Sequence, residues 1–381
     1  MKHVSFDRCD EYKIEKLISS IKTVLNDIGG VDKTLGKKGG RVLIKPNMMA
    51  GLPPEENVTT HPEVIRALIR IVKETGRTAL VGDSPAGFFD EWNIERVWEK
   101  TGINTVVNEE GAEKVVFEAG RIQKVETPYL PEIENHYITS YVYDCDAVIN
   151  VPKFKTHTYM VLSGAVKNLF GFVPGKIKGD LHCKAPKPEH FSKIIACLSH
   201  IITPCTSIMD AVYGLEGDGP GTAGQSRCFG WIAATDDPVS LDIVLSRLMG
   251  ISYEEIPILK SAAENNWGEI DMDKINLKGI SLTEDRFKDF LFPKKVKIRN
   301  TERFTRMIYA PTKVYPKIEP ENCTQCLSCI KSCPVQAISM TEEKKMIIDY
   351  KTCIECCCCH EVCTSKAIDL YGGKSNAVSC H

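Results

Sequence analysis

At 381 residues, with 43% hydrophobic and 26% charged side chains and a formal net charge of -2, the chain has the composition of globular material, long enough for two or three domains. So balanced a charge excludes a global attraction to nucleic acid or to a membrane surface, and no run approaches the roughly eighteen apolar residues of a membrane span. Residues 1–8 lack the apolar core of a secretion signal, so the chain reads as cytoplasmic.

In chain order, Arg41-Val42-Leu43-Ile44 is a short apolar strand. Residues 62–75 carry apolar side chains at helical spacing, with Pro62 at the start and Gly76 at the end. Strands follow at 78–81, 147–151 and 231–234, and a second proline-started helix at 238–249 stops at Gly250. This alternation predicts an α/β domain with an open, mostly parallel sheet over residues 1–285.

Several predicted strands end in the same way, in charged or amide residues: Ile44-Lys45-Pro46-Asn47, Val81-Gly82-Asp83-Ser84-Pro85, the run from Val151 to His157, and Ile208-Met209-Asp210. In open α/β sheets the carboxyl ends of parallel strands form the ligand crevice, so neighbouring strands would bring these tips together. Lys153, Lys155 and His157 alternate in extended chain and point to one side. With Lys45, Asn47, Lys167 and Asn168 they make a cationic pocket for a carboxylate, a phosphate or a polyanionic cofactor. Each lysine taken singly reads equally as a surface charge. His157 and His182 are candidates for acid–base exchange near neutral pH, and Asp83 and Asp210 for orienting them. Packing is the competing role for each histidine, and no H-E-x-x-H spacing marks a metal site.

The glycine-rich stretch 214–224 does not match G-x-G-x-x-G opening a helix, and Glu216 and Asp218 would repel phosphate. It reads as a mobile loop bordering the site. A basic connector follows at 286–316, with Lys294, Lys295, Lys297, Arg299, Arg303 and Arg306. It reads as a solvated linker packing on its own domain or, alternatively, as a dock for an acidic partner.

Ten of the seventeen cysteines fall between Cys323 and Cys363. Cys323, Cys326, Cys329, Cys333 and Pro334 have the spacing C-x2-C-x2-C-x3-C-P, and Cys353, Cys356, Cys359 and Cys363 repeat it thirty residues later. Ala337-Ile338 and Ala367-Ile368 recur at the same offset, so the halves are copies of one unit. Thiolates on metal suit a reducing compartment.

This repeat resembles the bacterial two-cluster ferredoxins. The resemblance implies a small α+β domain over 317–372 with two [4Fe-4S] clusters in a crossed pattern, Cys323, Cys326, Cys329 and Cys363 on one and Cys353, Cys356, Cys359 and Cys333 on the other. Structural zinc sites lack the doubled third-and-fourth cysteine. Thr364 departs from the usual proline, and Cys357 and Cys358 are spare thiols without an assigned role. No motif signals a flavin or a further metal. Residues 373–381 read as a flexible tail.

Across residues 40–250 the motifs Lys45-Pro46-Asn47, Thr60-His61-Pro62, Gly82-Asp83-Ser84-Pro85, Pro152-Lys153-Phe154-Lys155-Thr156-His157, the run Gly164 to Gly171, Gly217-Asp218-Gly219-Pro220 and the run Asp237 to Asp242 resemble the DUF362 family, often fused to a ferredoxin module. The resemblance implies an α/β site built from these motifs, in anaerobic or facultative bacteria and archaea, and no agreed reaction. The architecture points to an iron–sulfur reductase. A low-potential donor such as a ferredoxin would load the clusters, and single electrons would pass to an anionic substrate or cofactor held by the lysines. A non-catalytic electron-transfer or assembly protein that binds a partner protein, and a non-redox enzyme with structural clusters, stay open. Oligomeric state carries no signal here.

Overall fold

The computed structural model describes residues 1–87, 90–294, 297–301, 304–308 and 314–372. The tail expected at 373–381 lies outside the described residues, as do Lys295 and Arg303 of the connector.

Ten strands form one sheet: β1 (Lys2–Arg8), β2 (Arg41–Lys45), β3 (Thr78–Asp83), β4 (Glu113–Val116), β5 (Ala147–Asn150), β6 (Lys153–His157), β7 (Val161–Ser163), β8 (Thr206–Gly217), β9 (Gly224–Thr235) and β10 (Ile275–Lys278). They lie in the order β10-β1-β9-β8-β5-β2-β3-β4, with β6 beside β8 and β7 beside β6. From β8 through β5, β2 and β3 to β4 every pairing is parallel, whereas β9 runs antiparallel to both β8 and β1. The sheet is therefore mostly parallel, with the expected α/β layering.

Because successive strand residues face opposite sides, each strand feeds two cores. Leu43, Leu80, Val148 and Met209 join Phe191, Ile194 and Leu245 on one face. Val42, Ile44, Val81, Ile149 and Ile208 join Leu17, Ile21, Leu68 and Trp98 on the other. Helices Pro188–Ile201, Pro238–Met249 and Pro257–Glu264 cover the first face; Ile14–Asp27, Pro62–Glu74 and Glu91–Lys100 cover the second. Each fully buried aliphatic side chain contributes about 1.5–3 kcal/mol, so this double burial is the main force holding the layers. Pro62 begins its helix at N1, His61 Nδ1 accepts the Glu63 N–H at 3.2 Å, and Gly76 follows with φ 76°. Asp237 caps the 238–249 helix through the Val239 N–H, and Gly250 stops it at φ 79°.

One expectation changes. Asp210 does not end a strand: β8 continues to Gly217, paired with β9 along its length with an irregularity between Ala211 and Tyr213. The 214–224 stretch is consequently the closed end of a hairpin, and its acids are tied down, Glu216 by Arg227 at 3.0 Å and Asp218 by Lys294 at 3.1 Å. The connector packs on the α/β unit. Phe287 and Phe290 pack with Phe154 and Phe229 of the α/β unit, and Lys297–Thr301 pairs antiparallel with Phe304–Ile308.

The C-terminal unit is a small α+β fold. Val314–Ile318 pairs with Ile368–Gly372, Ile338–Met340 pairs with Met346–Ile348, and short helices lie at Ser328–Ser332 and Cys358–Glu361. Its internal repeat extends to the backbone. Gln325, Leu327 and Gln336 are left-handed at φ 57°, 62° and 54°, and Glu355, Cys357 and Lys366, thirty residues on, at 59°, 63° and 57°.

Candidate functional site

The tips of β2, β3 and β6 meet as anticipated. Lys45, Asp83 and His157 line one cavity of about 100 Å³, room for several waters or a small polar ligand. Asn47, Lys167, Asn168 and His182 line it too. The opposite wall comes from the cysteine-rich unit, through Ser332, Cys358, Glu361 and Val362. Gly87, Gly179 and Gly221 let the two units approach: an added Cβ would meet Ser332, Pro334 and the Glu361 carbonyl respectively. Thr222 Oγ1 donates to the Cys363 carbonyl at 3.2 Å across the same seam.

At the base of the cavity Lys45 Nζ lies 2.8 Å from Asp83 Oδ1 and donates to the Pro46 carbonyl at 2.8 Å. Asp83 Oδ2 accepts the Met48 N–H at 2.7 Å. Burial lowers the Lys45 pKa and the Asp83 charge opposes it. The backbone at Gly171 rests directly on this ion pair, where a Cβ would collide with both partners.

Lys167 and Asn168 owe their position to Asp242, whose two oxygens accept the Ala165 and Val166 N–H groups at 2.7 and 3.0 Å. This caps the short helix Ala165–Asn168, and Gly164 leaves room for the carboxylate. A chain of amides then fixes the rim: Asn47 Nδ2 donates to Asn168 Oδ1 at 2.9 Å, and Asn168 Nδ2 to Asn150 Oδ1 at 2.8 Å. Lys167 itself makes no hydrogen bond or ion pair among the described residues; its Nζ stands 5.3 Å from the Phe170 ring. Burial lowers its pKa, opposed by the Glu361 carboxylate.

The remaining strand-tip residues do not line the cavity. Lys153 Nζ lies 3.0 Å from Asp210 Oδ2 and donates to Tyr12 Oη at 2.7 Å, with both members of the ion pair fully buried. Asp210 also accepts the His61 N–H at 2.9 Å, and Tyr12 stacks on His61 at 3.6 Å. Lys155 Nζ donates to Asn47 Oδ1 at 2.8 Å and to the Val58 carbonyl at 2.6 Å. Burial, with Lys167 adding to it, brings its pKa down to about 7. The single cationic pocket is thus divided, because β8 runs on past Asp210 and presents a buried carboxylate that captures Lys153.

The histidines are held by backbone contacts and ring packing. His157 Nδ1 accepts the N–H groups of Tyr159 and Met160 at 3.1 and 3.3 Å, so its ring proton belongs on Nε2, which lies 3.3 Å from Glu361 Oε1. A proton on Nδ1 would oppose two backbone donors. His182 stacks on Phe191 at 4.0 Å, edge-on to Phe170. Burial, with Lys167 adding to it, pushes its pKa down to about 3, so it is a neutral ring.

Ser84 and Lys178 line the cavity without having been singled out as site residues. Lys178 Nζ donates to Ser84 Oγ at 2.8 Å, to the Ser84 carbonyl, and to the Pro85 carbonyl at 3.3 Å. The Gly-Asp-Ser-Pro motif was the available signal for Ser84, and the lysine-rich stretch at 176–178 for Lys178. Glu361, set among cysteines, carried none.

In the C-terminal unit Cys323, Cys326, Cys329 and Cys363 surround one small cavity walled by Ile318, Leu327, Met346 and Ile368. Cys333 and Cys356 lie near Cys353, and Cys356 and Cys353 near Cys359. The Ala337 and Ala367 N–H groups donate to the sulfurs of Cys333 and Cys363, each at 3.2 Å. Four thiols around an apolar space, with N–H groups directed at sulfur, are a donor set suited to an iron–sulfur cluster. Cys357 takes the place of Leu327 in the repeat and is buried, whereas Cys358 faces the interdomain cavity.

Residues 42–247 match the family described as a domain of unknown function (DUF362), and residues 316–339 match a 4Fe-4S binding domain. A protein of Synechocystis sp. named as thylakoid-associated is 33% identical over 270 residues, 70% of this chain and 80% of that protein. Among the described residues no helix is long and apolar enough to cross a membrane. The chain belongs to the DUF362 family and carries a ferredoxin-type 4Fe-4S binding domain in its C-terminal region.

Proposed function

We propose that the protein is an iron–sulfur reductase acting on a small anionic ligand held in the interdomain cavity. The observation that carries this reading is the shared wall: Lys167, which forms no ion pair or hydrogen bond among the described residues, faces the same space as Cys358 and Glu361, which lie inside the second cysteine motif. Cys323, Cys326, Cys329 and Cys363 hold one [4Fe-4S] cluster, and Cys353, Cys356, Cys359 and Cys333 the other. The clusters, when bound, supply single electrons taken from a low-potential donor such as a ferredoxin. Lys167 binds the anionic group of the ligand, and Asn47 and Asn168 orient it. The Lys45–Asp83 pair holds the crevice base rigid, and the cysteine-rich unit excludes bulk water. Thiolates committed to metal in the C-terminal unit suit a reducing, cytoplasmic setting.

Anaerobically purified protein is expected to contain about eight iron atoms per chain, to bleach with a low-potential donor, and to recover its colour when a carboxylate or phosphate metabolite is added. Lys167→Ala should bleach normally and recover slowly. Recovery at wild-type rates in Lys167→Ala would remove the cavity from the reaction.

A further inference from the structure

A reduction in the cavity needs a proton as well as an electron, and the histidines there are otherwise engaged: His157 Nδ1 accepts two backbone N–H groups, and burial against Phe191 pushes the His182 pKa down to about 3. We propose that Lys178 is the proton donor of the cavity and that Ser84 and Glu118 form the path that reloads it from the surface. This inference rests on the reductase reading.

Three observations support it. Lys178 lines the cavity, and its three contacts are neutral oxygens: Ser84 Oγ, the Ser84 carbonyl and the Pro85 carbonyl. The Pro85 contact, at 3.3 Å, is the weakest and the one a ligand would displace. Ser84 Oγ is then a junction. It accepts from Lys178 at 2.8 Å and from the Gly175 N–H at 3.2 Å, and donates to Glu118 Oε1. Glu118 is half-buried beside the exposed Ala119, and its second oxygen, Oε2, is buried with no hydrogen-bond partner among the described residues. That oxygen offers a place for an incoming proton. Cavity, ammonium, hydroxyl and carboxylate therefore form one continuous line from the cavity to the half-buried Glu118.

The charges around Lys178 suit the role. Burial brings its pKa down to about 8, Lys45 and Lys167 pull in the same direction, and Asp83 and Glu118 oppose them. It is protonated at neutral pH and releases a proton more readily than an ordinary lysine.

In the transfer the ligand takes one electron, which originates in the external low-potential donor, and one proton from the Lys178 ammonium. Water then delivers a proton to the Glu118 carboxylate, Glu118 passes a proton to Ser84, and Ser84 gives its hydroxyl proton to the neutral amine. The net movement is one proton from solvent to ligand and one electron from donor to ligand.

The test uses the full-length protein with its clusters, photoreduced anaerobically at pH 8 in weak buffer, with bleaching and a pH-indicator dye followed together. Added electrons beside the cavity raise the proton affinity of the half-titrated Lys178, so wild type should take up protons as it bleaches. Lys178→Met should bleach without this uptake. Ser84→Ala and Glu118→Gln, which keep the lysine, should take up protons at least about tenfold more slowly. His182→Gln should behave as wild type. Bleaching without proton uptake in wild type, or undiminished uptake in Lys178→Met, overturns the relay and leaves the reductase reading in place. A protein whose clusters no low-potential donor reduces overturns both.

Discussion

His157 Nε2 and Glu361 Oε1 stand 3.3 Å apart across the seam between the α/β unit and the cysteine-rich unit. One residue ends strand β6, and the other ends the helix that carries Cys358 and Cys359. With Nδ1 occupied by two backbone donors, the imidazole aims its only proton at the carboxylate. The contact thus works as a latch that holds the second cysteine motif over the cavity.

Removing the acceptor should loosen the seam. Glu361→Ala leaves a buried N–H without its carboxylate and should cost about 1–3 kcal/mol, with Glu361→Gln costing less. Hydrogen exchange would show the loss as faster exchange in residues 157–160 and 358–363. Unchanged protection in both segments would mean that the latch carries no weight.

Lys153 and Asp210 should matter for stability. Lys153→Met leaves a fully buried carboxylate facing only the Tyr12 hydroxyl and backbone N–H groups. The expected loss is about 3–5 kcal/mol, read as a lower urea midpoint. A loss much below that would mean Asp210 takes up a proton in the variant.

Lys155 gives a pH dependence of defined sign. Its folded pKa of about 7 lies below the ordinary lysine value of 10.5. Between these values the unfolded chain holds a proton that the folded chain has shed, so stability rises with pH across the window, by about 1.4 kcal/mol per unit at the steepest. Lys155→Met lacks this slope. The stability difference between wild type and variant, measured by urea unfolding at pH 7, 8 and 9, should move steadily in favour of wild type.

The crossed cysteine pattern can be read from iron content. Cys323→Ala and Cys363→Ala should each remove about half the iron. Combined, they should remove no more than either alone, because they strip the same cluster. Cys353→Ala with Cys363→Ala should remove nearly all of it. The opposite outcome, with the second pair sharing one loss, would assign each motif its own cluster.

The parts of this molecule legible in the sequence are those encoded locally. The cysteine repeat is a matter of spacing, and the left-handed turns at Leu327 and Cys357 follow it residue for residue. Helix Pro62–Glu74 and strands β2 and β3 follow from apolar periodicity punctuated by Pro62 and Gly76, since period and breakers act within a few residues. Lys45, Asp83 and His157 were found at strand ends because parallel strands deliver their tips to one edge. Where the local signal misled, a distant residue had intervened. Asp210 reads as a strand end until β9 extends the pairing beyond it, and Lys153 reads as a ligand-binding cation until Asp210, fifty-seven residues away, neutralises it.

By itself, then, the sequence determined that the chain is an α/β domain of the DUF362 family followed by a ferredoxin-type module. Only the tertiary structure decided that Glu361 and Cys358 close the cavity opened by Lys45 and Lys167, that His182 packs as a neutral ring against Phe191, and that Lys178 meets Ser84, which in turn meets Glu118. The physical reason is that these contacts join residues tens to hundreds of positions apart. Which lysine keeps its charge for a ligand depends on the carboxylates and the burial that folding brings to it, and local periodicity carries no record of either.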